Sequence, residues 1–228
     1  MTFSPSFGRI FSPSFKPNSL ADAVVAGGWW LSGGISAADC LIAYQPKGAA
    51  DYAASKVNLA NPGTYNATES TSTIAWTTET GWDNTATGRY MKTGFSDWLR
   101  EYSLIIKFSD IASGTYLLGD NDNCLYIRTG GRVANYGEGA NKSSTFIAIT
   151  DFTSGVMAIS DRTAYKDKVA YGSALQESAN DLTAEIFLFG GYLGGSYVVL
   201  GKIQAFALYK ITLTGTQVGL LGTAMNAL

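Results

Sequence analysis

The amino-acid sequence predicts an all-β protein: an antiparallel β-sandwich on an extended N-terminal arm, with a short C-terminal helix. Three observations lead there. Short apolar runs recur at intervals of about 8–12 residues, bounded by turn residues, which is the rhythm of a sandwich or barrel and not of βαβ units. The composition sets 26 glycines and 46% hydrophobic residues against 15% charged residues, which describes a turn-rich chain with a real core and a neutral polar surface. Proline is gathered at the front, where three of the five prolines fall within residues 1–20. Single sandwiches commonly reach about 200–250 residues. The 228 residues therefore divide into an arm, 1–20, and one sandwich domain, 21–228, with no need of a disulfide or metal staple.

The arm repeats one pentapeptide, Phe3-Ser4-Pro5-Ser6-Phe7 and Phe11-Ser12-Pro13-Ser14-Phe15. Proline fixes φ and removes a donor, so the segment is extended. Phe3, Phe7, Phe11 and Phe15 are too apolar for a solvated linker and make the arm a candidate tether. Their rings must be buried somewhere, either along another subunit or on the arm's own domain. Residues 21–37 are rich in Ala, Gly and Trp, with room for a helical turn near Ser19–Ala26.

Strands follow. In Tyr102–Phe108, residues Tyr102, Leu104, Ile106 and Phe108 alternate onto one face. Thr115–Leu118, Cys124–Arg128 and Arg132–Tyr136 come next, separated by Gly119–Asn123 and Thr129–Gly131, which carry hairpin chemistry. Ser144–Thr150, Gly155–Ser160, Thr163–Lys168, Ala184–Phe189 and Val198–Tyr209 continue the series. Gly88 and Gly94 bracket a further strand, and Ile203, Phe206 and Leu208 read as apolar residues on both faces of one doubly covered strand. At the end, Thr214 and Gln217 form a capping-box pair. Val218, Leu221 and Met225 recur at helical spacing, with Leu220, Ala224 and Leu228 beside them.

Function is first bounded by exclusion. The chain has no histidine, which removes Ser-His-Asp and Cys-His nucleophile systems, His-ligated zinc and an imidazole switch. A net charge of -2 without a basic cluster argues against nucleic acid as partner. Gly190-Gly191 and Gly194-Gly195 lack the Gly-Lys-Ser/Thr continuation of a phosphate loop. No stretch approaches the roughly 20 apolar residues of a membrane span. The first residues lack the basic and apolar regions of a signal peptide, so the expectation is assembly in a cytoplasm, with the Asn66 and Asn141 sequons arising by chance. Cys40 and Cys124 sit in apolar stretches and read as two buried thiols, a cross-strand bridge being the alternative.

Two binding chemistries are open. Asp120-Asn121-Asp122-Asn123 places oxygens at alternate positions, a calcium candidate through Asp120 and Asp122. It lacks the glycine and distal glutamate of an EF-hand loop and reads better as a hairpin turn. No cofactor is otherwise expected. Sugar binding would use exposed aromatic faces, drawn from Trp30, Trp76, Trp82, Trp98, Tyr136, Tyr171, Tyr192 and Tyr197. Tyr192 and Tyr197 flank a glycine-rich loop able to present them outward, and with Trp98 they form the candidate glycan-binding set.

Three stretches together resemble a concanavalin A-like, laminin-G-like jelly roll. The first is Cys40-Leu-Ile-Ala-Tyr44 with the loop Asn58–Tyr65. The second is Gly81-Trp82, then Gly88–Gly94, then Tyr102–Phe108. The third is Ile203–Tyr209 with Leu213-Thr214 and Gln217-Val218. They bracket residues 39–228. The wording Ala43-Tyr-Gln-Pro-Lys-Gly-Ala-Ala50, joined to the Phe-Ser-Pro-Ser-Phe arm, is similar to sandwich proteins encoded in tailed-phage genomes. That resemblance implies a non-enzymatic virion protein, a capsid decoration or a head- or tail-attached component assembled in the host cytoplasm. Its partners would be capsid or tail subunits and further copies of itself, a trimer by analogy. A glycan-binding adhesin for the host surface is the alternative. A carbohydrate-active enzyme is disfavoured: glucanases of this superfamily carry a Glu-x-Asp-x-x-Glu run, which is absent here.

Overall fold

The computed structural model describes residues 28–99, 101–114, 116–120, 125–128, 132–135, 145–146, 152–161, 163–171, 184–191 and 197–228. The arm, residues 1–20, and the turn expected near Ser19–Ala26 lie outside them.

Two long strands carry the architecture. β6 (Ser103–Gly114) and β16 (Tyr197–Tyr209) pair antiparallel from Ser103↔Tyr209 to Gly114↔Val199. They sit in the middle of a nine-stranded sheet, flanked on one side by β11 (Gly155–Ser160), β12 (Thr163–Lys166) and β13 (Val169–Tyr171). On the other side lie β4 (Gly81–Asn84) and β3 (Ala75–Thr77), while β1 (Cys40–Tyr44) and β15 (Gly190–Gly191) also pair with β16. A seven-stranded sheet runs β10 (Thr145–Phe146), β9 (Arg132–Asn135), β8 (Leu125–Arg128), β7 (Tyr116–Asp120), β14 (Ile186–Leu188), β5 (Met91–Lys92), β2 (Thr68–Glu69). All described pairings are antiparallel. The fold is the all-β sandwich with a C-terminal helix that the sequence predicts.

The alternation expected in Tyr102–Phe108 holds. Leu104, Ile106 and Phe108 enter the core between the sheets, Tyr102 packs at its margin, and Ile105 points to the opposite side. Opposing them from the seven-stranded sheet are Met91, Leu118, Leu125, Ile127, Val133, Ile186 and Leu188. Gly88 and Gly94, at φ of 78° and 70°, bracket β5 as expected.

β16 corrects one expectation. It is covered on both faces, but Ile203, Phe206 and Leu208 all lie in the core between the sheets. The other face carries Ala205, Ala207 and Tyr209. A register shift between Ile203 and Ala205 inserts an extra residue, which turns an odd separation into a same-face one.

The second core lies on the far side of the nine-stranded sheet, under the C-terminal helix Gly215–Asn226. Thr214 and Gln217 close the expected capping box: the Gln217 N–H donates to Thr214 Oγ1 at 3.2 Å, and the Thr214 N–H to Gln217 Oε1 at 2.9 Å. Val218, Leu221, Ala224 and Met225 are buried against Ile105, Val156, Ala158, Ala205 and Ala207. Leu220, expected beside this stripe, is instead 42% exposed. The other helix end is tied by a sheet residue, since Lys107 Nζ donates to the Met225 carbonyl at 2.7 Å. Burial and the neighbouring charge of Lys47 hold the Lys107 ammonium below its usual range.

A buried serine pair fixes the connector into this helix. The Leu213 N–H donates to Ser103 Oγ at 3.0 Å, Ser103 Oγ donates to the Ile211 carbonyl at 2.8 Å, and Ser160 Oγ donates to the Leu213 carbonyl at 2.7 Å. The same core receives the start of the described chain. Trp29, in the short 3₁₀ turn Trp29–Leu31, is buried there, and the Tyr209 hydroxyl donates to the Trp30 carbonyl at 2.9 Å.

Between β1 and β2 the chain makes one helical turn, Tyr52–Ser55, capped by Asp51. A loop then hangs on buried Asn58, whose amide accepts from the Ala43 and Ala60 N–H groups and donates to the Leu41 and Thr64 carbonyls. Among the described residues no helix is long and apolar enough to cross a membrane.

Candidate functional site

The outward face of the seven-stranded sheet follows from strand alternation. In β8, Leu125 and Ile127 are fully buried in the core, so Tyr126 and Arg128 belong to the other face. In β14, Ile186 and Leu188 point inward and Phe187 outward. Register then lines up Lys92, Phe187, Gly119 and Tyr126 across four strands, with Arg128 opposite Tyr116 in the next row.

Aromatic rings pave this face. Tyr116 and Tyr126 meet edge-to-face at 5.6 Å, and Tyr90 tilts against Phe187 at 4.9 Å. The Arg128 guanidinium lies 4.7 Å over the Tyr116 ring and 5.8 Å from that of Tyr126. Tyr116, Tyr126 and Phe187 are only 3%, 5% and 5% exposed, so their rings are buried, and half-buried Tyr90, Lys92 and Arg128 are the side chains presented beside them.

The glycine-rich loop is anchored here. An ideal Cβ on Gly119 would lie 3.0 Å from Gly191 Cα and 3.1 Å from the Tyr116 ring, so the close approach of β15 to β7 requires glycine at both positions. A side chain on Gly190 would meet Tyr90 at 3.0 Å. β15 pairs with the start of β16, where Tyr197 stands opposite Gly191. The base of the loop thus lies beside Tyr116 and Tyr90. Tyr192 and the loop tip, 192–196, lie outside the described residues.

Other expected residues fare differently. Trp98 is 1% exposed and packs edge-on against Tyr102 at 5.9 Å, which corrects its place in the glycan-binding set: its faces belong to the core. Trp82 is equally buried, with its Nε1–H donated to Ser55 Oγ. Half-buried Trp76 donates to the Pro46 carbonyl, and half-buried Tyr171 packs against the core. Asp120 is buried, and its Oδ2 accepts from the Leu125 N–H at 3.0 Å, so its carboxylate braces the turn from β7 to β8. Asp122, the other half of the calcium candidate, lies outside the described residues, as do Cys124 and Tyr136. Among the described residues no group of three or more Asp, Glu, Cys or His side chains converges as a metal site would. Cys40 is an unpaired thiol that burial pushes up to about 12.

Tyr90, Tyr116, Tyr126 and Arg128 were not singled out from the sequence. The readable signal is the strand Leu125-Tyr126-Ile127-Arg128, where an aromatic and a cation alternate with core residues. Their meeting with Tyr116 and Tyr90 depends on strand register.

The residues of β5, β7, β8 and β14 include one acid, Asp120, already engaged in its turn. At the sheet edge, Glu69 accepts from the Tyr52 hydroxyl at 2.7 Å and from Lys56 at 3.1 Å. Partial burial would raise this carboxyl, but the hydrogen bonds from Tyr52 and Lys56 outweigh it and hold it below its usual range.

No protein-family model matches the sequence, and no curated protein matches it. Solved structures match in fold. A mutant of Trypanosoma rangeli sialidase displaying trans-sialidase activity aligns over 83% of this chain and 34% of its own, with a TM-score of 0.54 and 12% identity. Domain 4 of AbnA, a GH43 extracellular arabinanase from Geobacillus stearothermophilus in complex with arabinotriose, aligns over 81% of this chain and 98% of its own, with a TM-score of 0.51 and 14% identity. The HCR/D F1240A mutant aligns over 82% and 52%, with a TM-score of 0.53 and 13% identity. The chain thus spans about a third of the length of the sialidase and almost all of the arabinanase domain. At these identities the likeness is one of fold alone, that of an antiparallel β-sandwich.

Proposed function

We propose that the protein is a non-enzymatic carbohydrate-binding module whose site is the outward face of the seven-stranded sheet. The observation that carries this reading is the Arg128 guanidinium spread over Tyr116 and Tyr126, with Tyr90 and Phe187 beside them and the glycine-rich loop rooted on Gly119. Sugar rings present C–H faces to aromatics and hydroxyls to polar groups, and half-buried Tyr90 with Lys92 and Arg128 offers both. The fold likeness to the arabinanase domain, a structure in complex with arabinotriose, supports the same reading. A glycan array probed with the full chain, with and without calcium, tests it. One class of oligosaccharide should be retained and then lost in Tyr90→Ala, and incubation with that glycan should release no new reducing ends. Silence across the array, or turnover abolished by one acidic substitution, would contradict the proposal.

A second reading concerns how the module is carried. Trp29 is buried under the C-terminal helix, and the Trp30 carbonyl is held by Tyr209, so the folded domain grips the chain just after residues 1–27. That fixed point suits an arm whose Phe3, Phe7, Phe11 and Phe15 tether the module to capsid or tail subunits of a phage particle. Deleting residues 1–20 should leave a folded domain that no longer joins particles. Normal incorporation of the truncated protein would exclude the tether.

A further inference from the structure

We infer that the ligand of the seven-stranded face is an acidic oligosaccharide, anchored through its carboxylate or sulfate on Arg128. This rests on the carbohydrate-binding reading and names the chemistry of its ligand.

The first support is that Arg128 lies over two tyrosine rings. Contact with the Tyr116 and Tyr126 rings restrains the side chain, so less side-chain entropy remains to be lost on binding. Among the described residues no carboxylate or other acceptor pairs with it. Four other described cations have acceptors: Lys56 with Glu69, Lys166 with Asp167, Lys202 with Asp110, and Lys107 with the Met225 carbonyl. A half-buried guanidinium without an acceptor has lost part of its hydration and gained no hydrogen bond in return.

The second support is local charge. Lys92, further along the same face, adds positive charge, although the whole chain carries a net charge of -2. The cationic character is therefore local to this face and is not a reflection of composition.

The third support is shape. A guanidinium presents parallel N–H donors at the spacing of two oxygens on one carboxylate or sulfate, and the resulting charge-assisted pair is about twice as strong as a neutral hydrogen bond. A neutral sugar hydroxyl meets such a fork with one oxygen. The half-buried Tyr90 ring on the same face can take the apolar face of the sugar ring, which a free anion would not use.

The test uses the full chain and an array carrying each acidic oligosaccharide (uronate, sialylated or sulfated) beside its methyl-esterified or desulfated counterpart, followed by calorimetry on the best ligand and on inorganic sulfate. The acidic member should be retained, and its neutralised counterpart should bind about tenfold more weakly or worse. Arg128→Gln should weaken the acidic ligand about 10–100-fold. Arg128→Lys, which keeps the charge and stem but loses the fork, should still weaken it about tenfold. Unchanged melting temperatures would show that both variants remain folded. Equal binding of charged and neutralised partners, unaffected by Arg128→Gln, would overturn the acidic-ligand inference and leave the carbohydrate-binding reading standing. Inorganic sulfate binding as tightly as the best saccharide would also overturn it, because the sugar would then contribute nothing. Retention of no glycan of either kind would overturn both.

Discussion

The two outward faces of this sandwich are built from similar strands and end in opposite states. On the nine-stranded sheet, a helix covers the face, and the long cation there, Lys107, is tied to the helix end at Met225. Connector carbonyls are met by Ser103 and Ser160, and Tyr209 secures Trp30. On the seven-stranded sheet, the long cation Arg128 lies over two tyrosines with no acceptor among the described residues. One face has its long cation tied to a carbonyl, and the other has its long cation resting on rings. Polar groups that close a structure and polar groups that recognise a ligand are distinguished by what they touch, not by residue type.

Mutations on the two faces should therefore separate stability from binding. The largest stability effect is expected from Leu221→Ala, which empties a buried site under the helix and should cost about 2–5 kcal/mol in chemical denaturation, with glycan affinity unchanged in the folded fraction. Ser103→Ala, which leaves the Leu213 N–H and the Ile211 carbonyl without their partner, should cost about 1–3 kcal/mol by the same measurement. Lys107→Met, which frees the Met225 carbonyl, should cost about 1 kcal/mol and leave binding untouched. Arg128→Gln should change stability by about 1 kcal/mol or less, because only ring contacts at a half-buried site are lost, while ligand affinity falls about 10–100-fold. A variant that lost stability and binding in proportion would break the separation.

The smallest effect is a pH dependence at the sheet edge. The folded Glu69 carboxyl titrates below its usual value of about 4.3, so its contribution is complete above that value and is lost as pH falls through the lower folded one. Acid unfolding followed by tryptophan fluorescence should be less steep below pH ~4 in Glu69→Gln than in the parent. Identical acid limbs would show that Tyr52 and Lys56 do not stabilise the ionised carboxylate.

Much of the fold is legible from local chemistry. Leu104, Ile106 and Phe108 announce their strand by alternation, and Thr214 with Gln217 announces the helix start, because both signals depend on neighbours in sequence. What escapes local reading depends on distant partners. The shift that places Ile203 and Phe206 on one face exists through pairing with β6. Trp98 carries the same indole whether buried or exposed, and what covers it is set by the packed core. Strands of two residues, such as Met91–Lys92, are too short to show a period. The Arg128–Tyr116 contact needs the register of β7 on β8. The candidate site was less legible than the fold because it is assembled from four strands, each contributing one or two outward side chains.

The most direct test of the central claim is an amide shift map of the full chain titrated with the glycan that the array retains. The account predicts shifts concentrated at Tyr90, Lys92, Gly119, Tyr126 and Arg128, with the helix Gly215–Asn226 and the Trp29–Leu31 turn silent. Shifts confined to that helix and turn, with the seven-stranded face unmoved, would contradict it.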